Sequence, residues 1–122
     1  MQQLNNKRQV RQSLGWIGQA VSGILLIVIV LLHLIFHHFQ TGLLSAGEVV
    51  AHVADQAIFG LELLFIIVVT YHALLGIKAV IFDLQLSDAA RQRVSLGLTI
   101  LGVITVVYGV VLAFLIRFQT FV

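Results

Sequence analysis

From Gln12 to Gly47 the chain carries no Asp, Glu, Lys or Arg, and the same holds from Leu63 to Ile77 and from Val94 to Ile116. Uncharged runs of this kind leave few folds open. Crossing the hydrocarbon of a bilayer takes about 20 residues of helix. A strand there would expose unpaired backbone groups to lipid, and these runs are too long for the strands of a membrane barrel. The reading is an all-α integral membrane protein with three transmembrane helices at about 14–36, 57–82 and 93–117. They form a single membrane-anchor domain over residues 1–122.

Composition agrees. The chain is 60% hydrophobic and 10% charged, against about 45–50% and about 25% in soluble domains. It has no proline to break a long helix. It also has no cysteine, which excludes disulfides, thiolate zinc sites and iron–sulfur ligation by this chain. A formal charge of +2 without a long basic tract gives no reason to expect a nucleic-acid partner.

Orientation follows from the basic residues. Lys7, Arg8 and Arg11 precede the first apolar run, and Arg91 and Arg93, with Lys78 nearby, flank the connection between the second and third. The connection between the first and second has Glu48 and Asp55 but no Lys or Arg, and Arg117 is the only basic residue near the C-terminus. The positive-inside rule then puts a 1–13 tail and an 83–92 loop in the cytoplasm, with a 37–56 loop and the C-terminus outside. The expected location is the cytoplasmic (inner) membrane, crossed several times. The polar start has no apolar core or cleavage site of a removable signal, so the first helix is expected to serve as its own. The chain carries no phosphate-binding glycine loop, nucleophile elbow or metalloprotease helix motif. Its chemistry must come from something bound between helices, or from a partner.

Five histidines are present, and only His33 and His72 fall inside the predicted spans. An ionisable side chain at membrane depth is costly and marks a bundle interior or a pathway. One reading is a neutral ring hydrogen-bonded to a neighbouring helix. The other is an axial ligand of b-type haem, which needs imidazole and no cysteine. Gly76, four residues after His72, shares its helix face, and Ala79 and Asp83 continue that stripe. Counting from the helix ends, His33 lies roughly 28 Å above the inner edge and His72 roughly 15 Å. A separation of about 13 Å is too great for one iron, so the rings suit two haems at different depths. Each iron would then need a second ligand from elsewhere. His37 and His38 follow one turn after His33, where headgroup or solvent contact is expected. A shift of the first helix would bring His37 into competition with His33. His52 reads as a loop residue.

These residues carry a family resemblance. The run WIGQAVSGILLIVIVLLHL, with Gln19, Ser22, Gly23 and His33 in register, resembles the first helix of the cytochrome b membrane anchors of succinate dehydrogenase and fumarate reductase. His72, Gly76, Lys78 and Asp83 match the second helix of that family, whose pattern is His-x-x-x-Gly followed by a basic residue and an Asp. The resemblance covers about residues 14–84, and the third helix is similar only in length and position. It implies an electron-transfer anchor of succinate:quinone oxidoreductase in its two-haem form. His33 would ligate the outer haem and His72 the inner one. The expected partners are a flavoprotein subunit, an iron–sulfur subunit and a second membrane anchor that shares the haem b, with quinone as substrate. No dehydrogenase active site is expected on this chain.

Around these ligands the resemblance makes Trp16, Gln19, Ser22 and Lys78 candidates for the haem propionates and edge, with Gly76 leaving room for the ring. Each has a plainer reading. Trp16 suits an interfacial aromatic belt, Lys78 a snorkelling charge, and Ser22 a packing hydroxyl. Asp83 and Glu62 are the candidates for quinone or proton chemistry, though Glu62 equally suits an interfacial charge. The third helix carries Gly97, Gly102 and Gly109 with Thr99 and Thr105, a pattern that suits close packing. Two other readings stand: a cytochrome b of another membrane complex, such as a hydrogenase or formate dehydrogenase, and a haem-free structural anchor.

Overall fold

A computed structural model describes residues 1–38, 47–48 and 55–119. Three long helices run through them: α1 (Gln2–His38), α2 (Gln56–Asp83) and α3 (Asp88–Phe118). Among the described residues there is no strand, and Gly47 and Glu48 are also helical. Most of the expected 37–56 loop, His52 included, lies outside the described residues. Each helix contains a stretch long and apolar enough to span a membrane: Ser13–Ile35, Gln56–Asp83 and Asp88–Phe118.

The expected spans hold, but α1 starts at Gln2 and takes in the whole polar tail. The reason is local. Residues 2–14 contain neither Gly nor Pro, and Gln, Leu, Lys and Arg are good helix formers. A helix that leaves the bilayer has no cause to stop there. The other ends are set by caps. The Asp55 carboxylate accepts from the backbone N–H groups of Ala57 at 2.9 Å and Ile58 at 3.3 Å, and Ser87 Oγ accepts from Ala90 N–H at 3.3 Å. Both satisfy donors that a helix start leaves unpaired.

The middle helix organises the fold. α2 packs against α1 on one side and α3 on the other, while α1 and α3 do not touch among the described residues. Two aromatic clamps hold the α2–α3 hairpin near its ends. At one, Phe82 lies under both Lys78 Nζ (5.3 Å) and the Arg91 guanidinium (5.7 Å), and Arg91 Nε also donates to the Leu86 carbonyl at 3.2 Å. At the other, Phe59 meets Phe114 edge-on at 5.0 Å and carries Arg117 at 4.4 Å. Cation–π contacts contribute about 0.5–1 kcal/mol at exposed sites and more where water is excluded.

Very little of the chain is buried. Among the described residues Ile29, Phe59 and Val68 are the buried hydrophobic ones, against dozens of large apolar side chains left exposed. A soluble protein does not leave apolar surface on that scale open to water. With lipid as solvent, helices associate through close backbone approach and polar contacts rather than by hiding apolar area. The glycines show this. A Cβ at Gly102 would run into the Leu74 side chain, and one at Gly109 would lie 2.9 Å from Ile66 Cγ2. Gly97 faces open space within the chain, and Thr99 and Thr105 donate to carbonyls of their own helix at 2.8 Å. The expected packing stripe on α3 therefore narrows to Gly102 and Gly109.

Gly109→Ala is expected to lower the thermal stability of the assembled protein by about 1–3 kcal/mol, because β-branched Ile66 has little rotamer freedom to yield. Gly97→Ala, made beside it, should be neutral or slightly stabilising. Thermal unfolding in detergent distinguishes the two.

Candidate functional site

Polar side chains meet between α1 and α2 at two levels. At the lower one, His72 of α2 points at the face of α1 that carries Gln19, Ser22 and Gly23. Its Nδ1 lies 2.9 Å from Ser22 Oγ, and its Nε2 lies 3.4 Å from the Gln19 side-chain nitrogen. Ser22 is the buried polar residue among those described, at 5% exposure, and its hydroxyl also reaches the Gln19 carbonyl at 3.1 Å.

Two glycines make this approach possible. A Cβ at Gly23 would sit 3.1 Å from His72 Cε1, and one at Gly76 would sit 3.3 Å from the Gln19 side-chain nitrogen. Alanine at either place would press on the ring or on the amide beside it. The Ser22-Gly23 pair on α1 and the His72/Gly76 pair on α2 thus form one interlocking contact, each glycine opposite the other helix's polar side chain. Gln19 Oε1 is buried there with no hydrogen-bond partner, a vacancy that native interiors seldom leave unfilled. His72, Gln19 and Gly76 also line an open groove of about 470 Å³, completed by Ala73, Ile77, Val80 and Ile81.

At the upper level, His33 Nδ1 of α1 lies 3.3 Å from Glu62 Oε1 of α2. The His33 ring stacks on Phe65, with centroids 5.6 Å apart and planes 18° from parallel. The levels are eleven residues apart along α1 (Ser22 to His33) and ten along α2 (Glu62 to His72), which is about 15–16 Å of helix rise. The two histidines therefore sit at different depths, as their sequence positions implied.

Not every candidate joins these clusters. Trp16 is 73% exposed and points away from α2. Lys78 turns to the opposite side of α2, where it rests on Phe82 and lines a second groove of about 510 Å³ between α2 and α3. Six residues separate it from His72, and at 100° per residue that places the two about 120° apart around the helix. Asp83 is exposed at the end of α2, eleven residues or roughly 16 Å from His72. His37 and His38 fall in the last turn of α1, and their side chains lie outside what is described. Among the described residues, no three His, Cys, Asp or Glu side chains converge as a cage for a bare metal ion. Sequence reading did not couple Glu62 to His33 or single out Phe65. The available signal was depth: Glu62 stands twenty residues before Phe82, about 30 Å up, level with His33.

The family model described as succinate dehydrogenase/fumarate reductase transmembrane subunit matches residues 2–116. The chain is similar to a "succinate dehydrogenase hydrophobic membrane anchor subunit" of Thermoplasma acidophilum, 29% identical over 110 residues, covering 88% of this chain and 89% of the relative. It is also similar to a protein of the same description from Archaeoglobus fulgidus, 29% identical over 115 residues, covering 93% and 98%. No solved structure matches it significantly.

The upper contact is testable without any ligand. A double-mutant cycle on His33→Ala and Glu62→Ala should return a coupling of about 0.5–3 kcal/mol in thermal stability, as for residues in direct polar contact. Additive effects would mean that the pair does not tie the helices together.

Proposed function

The chain belongs to the family of succinate dehydrogenase/fumarate reductase transmembrane subunits, and from that premise we propose that it is a haem b-binding anchor that passes electrons from an iron–sulfur subunit to quinone. As a membrane anchor subunit of succinate dehydrogenase it associates with the other subunits of that complex and with the bilayer. The proposed partners are the flavoprotein, the iron–sulfur subunit and a second membrane anchor, in the cytoplasmic membrane.

The observation that carries the haem reading is the contact at His72. An imidazole stands at membrane depth on a groove, one nitrogen engaged by Ser22 and two glycines keeping the space around it clear. A residue serving only to join helices needs neither the groove nor the buried amide oxygen of Gln19 left without a partner. These features fit a haem that this chain would hold through His72, with its second ligand supplied by another chain. His72 would hold the inner haem, with Gly76 and Gly23 giving clearance and Gln19 supplying a polar group at the edge. His33 would hold the outer haem, its ring oriented by Glu62 and Phe65. When bound, haem supplies one-electron exchange at a potential tuned by its ligands and their hydrogen bonds.

For quinone the support is thinner and rests on charge. Its reduction takes up protons, so a carboxyl group near the binding site has a use. Asp83, exposed at the end of α2, and Glu62, beside His33, are the candidates.

A dithionite-reduced minus oxidised spectrum of the purified complex, with haem counted per copy of this chain, tests the proposal. Two b-type haems are expected, one lost in His72→Ala and the other in His33→Ala. One haem that depends on His72 alone would return His33 to a packing role. A complex without haem would make the chain a structural anchor.

A further inference from the structure

The proton arrangement at the lower contact can be worked out from its distances. Ser22 has one hydroxyl proton and two neighbours within hydrogen-bond reach, the Gln19 carbonyl at 3.1 Å and His72 Nδ1 at 2.9 Å. A carbonyl only accepts. If the hydroxyl donates to Gln19, Ser22 Oγ must receive a proton from His72 Nδ1–H. Nε2 then carries the lone pair, and the Gln19 amide N–H, 3.4 Å away, is a donor placed to meet it. This arrangement makes three hydrogen bonds. The opposite tautomer makes two: Ser22 turns to Nδ1 and abandons the carbonyl, and the amide must rotate so that its oxygen accepts from Nε2–H. Its two amide protons would then be buried in place of one oxygen. Counting bonds in a site shielded from water favours the first arrangement.

We infer that Ser22 is a positioning residue that fixes His72 as the Nδ1–H tautomer and so presents Nε2 as the ligating nitrogen. The inference rests on the haem reading proposed above and goes a step beyond it, to the atom that binds and the residue that selects it. The Gln19 amide holds Nε2 only at the long limit of a hydrogen bond, so Nε2 is the nitrogen that would be free to ligate while the stronger Ser22 contact stays. A donor bond from the far nitrogen of a ligating imidazole raises its basicity and fixes its ring plane, and losing such a bond commonly weakens metal binding on the order of 10–100-fold. Greater basicity favours the ferric ion, so removing the bond should raise the midpoint potential.

The test compares the purified complex carrying Ser22→Ala, Ser22→Thr and His72→Ala by redox titration and by the rate at which haem is lost to apomyoglobin. In Ser22→Ala, the haem that is absent from His72→Ala should titrate at a higher potential and leave about 10–100-fold faster. Ser22→Thr keeps the hydroxyl and should restore both. If Ser22→Ala matches wild type in potential and haem loss while His72→Ala lacks a haem, Ser22 does not select the tautomer, although His72 still ligates. If His72→Ala keeps every haem, or the wild-type complex contains none, the haem reading falls and this inference with it. Should Ser22→Ala fail to assemble, Ser22→Cys decides, since its thiol fills the same space but hydrogen-bonds weakly: a higher potential and faster haem loss uphold the inference, and wild-type values overturn it.

Discussion

The hydrogen bond between Ser22 and His72 fixes more of this molecule than its size suggests. With three buried hydrophobic residues among those described, the helices have almost no core to set their register. In lipid a helix could slide by a turn against its neighbour and lose little apolar contact, because the hydrocarbon it would meet instead is just as apolar. A buried hydroxyl and a half-buried imidazole cannot slide apart in lipid without leaving polar atoms unpaired, which costs on the order of 1–3 kcal/mol each. The His33–Glu62 contact, about 15 Å further along, pins the same pair of helices a second time. With two fixed points, both the offset and the rotation of α1 on α2 are determined.

The glycines follow from the same constraint. Polar side chains as short as serine reach across only if the backbones approach closely. Gly23 and Gly76 allow that at the lower contact, while Gly18 lets α1 pass beside Tyr71 and Leu75. On the other side of α2, Gly102 and Gly109 admit Leu74 and Ile66, and Arg91 and Arg117 lock the hairpin by lying on aromatic rings. α2 is thus read differently on its two faces. Toward α1 it offers polar contacts, and toward α3 close packing.

Much of this was legible in the sequence. The three spans follow from the absence of charge, because no other arrangement satisfies the backbone in lipid. His72 and Gly76 followed from spacing, and the depth difference between the histidines from helix rise alone. Other features depend on the rotation of one helix about its axis relative to another, which a run of apolar residues does not encode. Lys78 shows the difficulty: six residues from His72 it looks close in sequence, yet it projects from another side of α2. Trp16 is similar, near Gln19 along α1 but facing outward. The length of α1 was missed for a different reason. Charge marks where the membrane ends, and the helix has no need to end with it.

The two histidine levels are not equivalent, and the difference bears on what each can do. At His72 there is a groove, a buried amide oxygen with no partner, and a weakly held Nε2. At His33 the ring is already stacked on Phe65 and sits beside a carboxylate. A cofactor entering the first site displaces one long hydrogen bond. Entering the second, it must share the ring with contacts that already hold α1 against α2. Both histidines join α1 to α2, and the structural support for a bound group is strongest at His72, which also lines a groove. If only one of the two histidines binds iron through this chain, the packing argues for the one opposite Ser22.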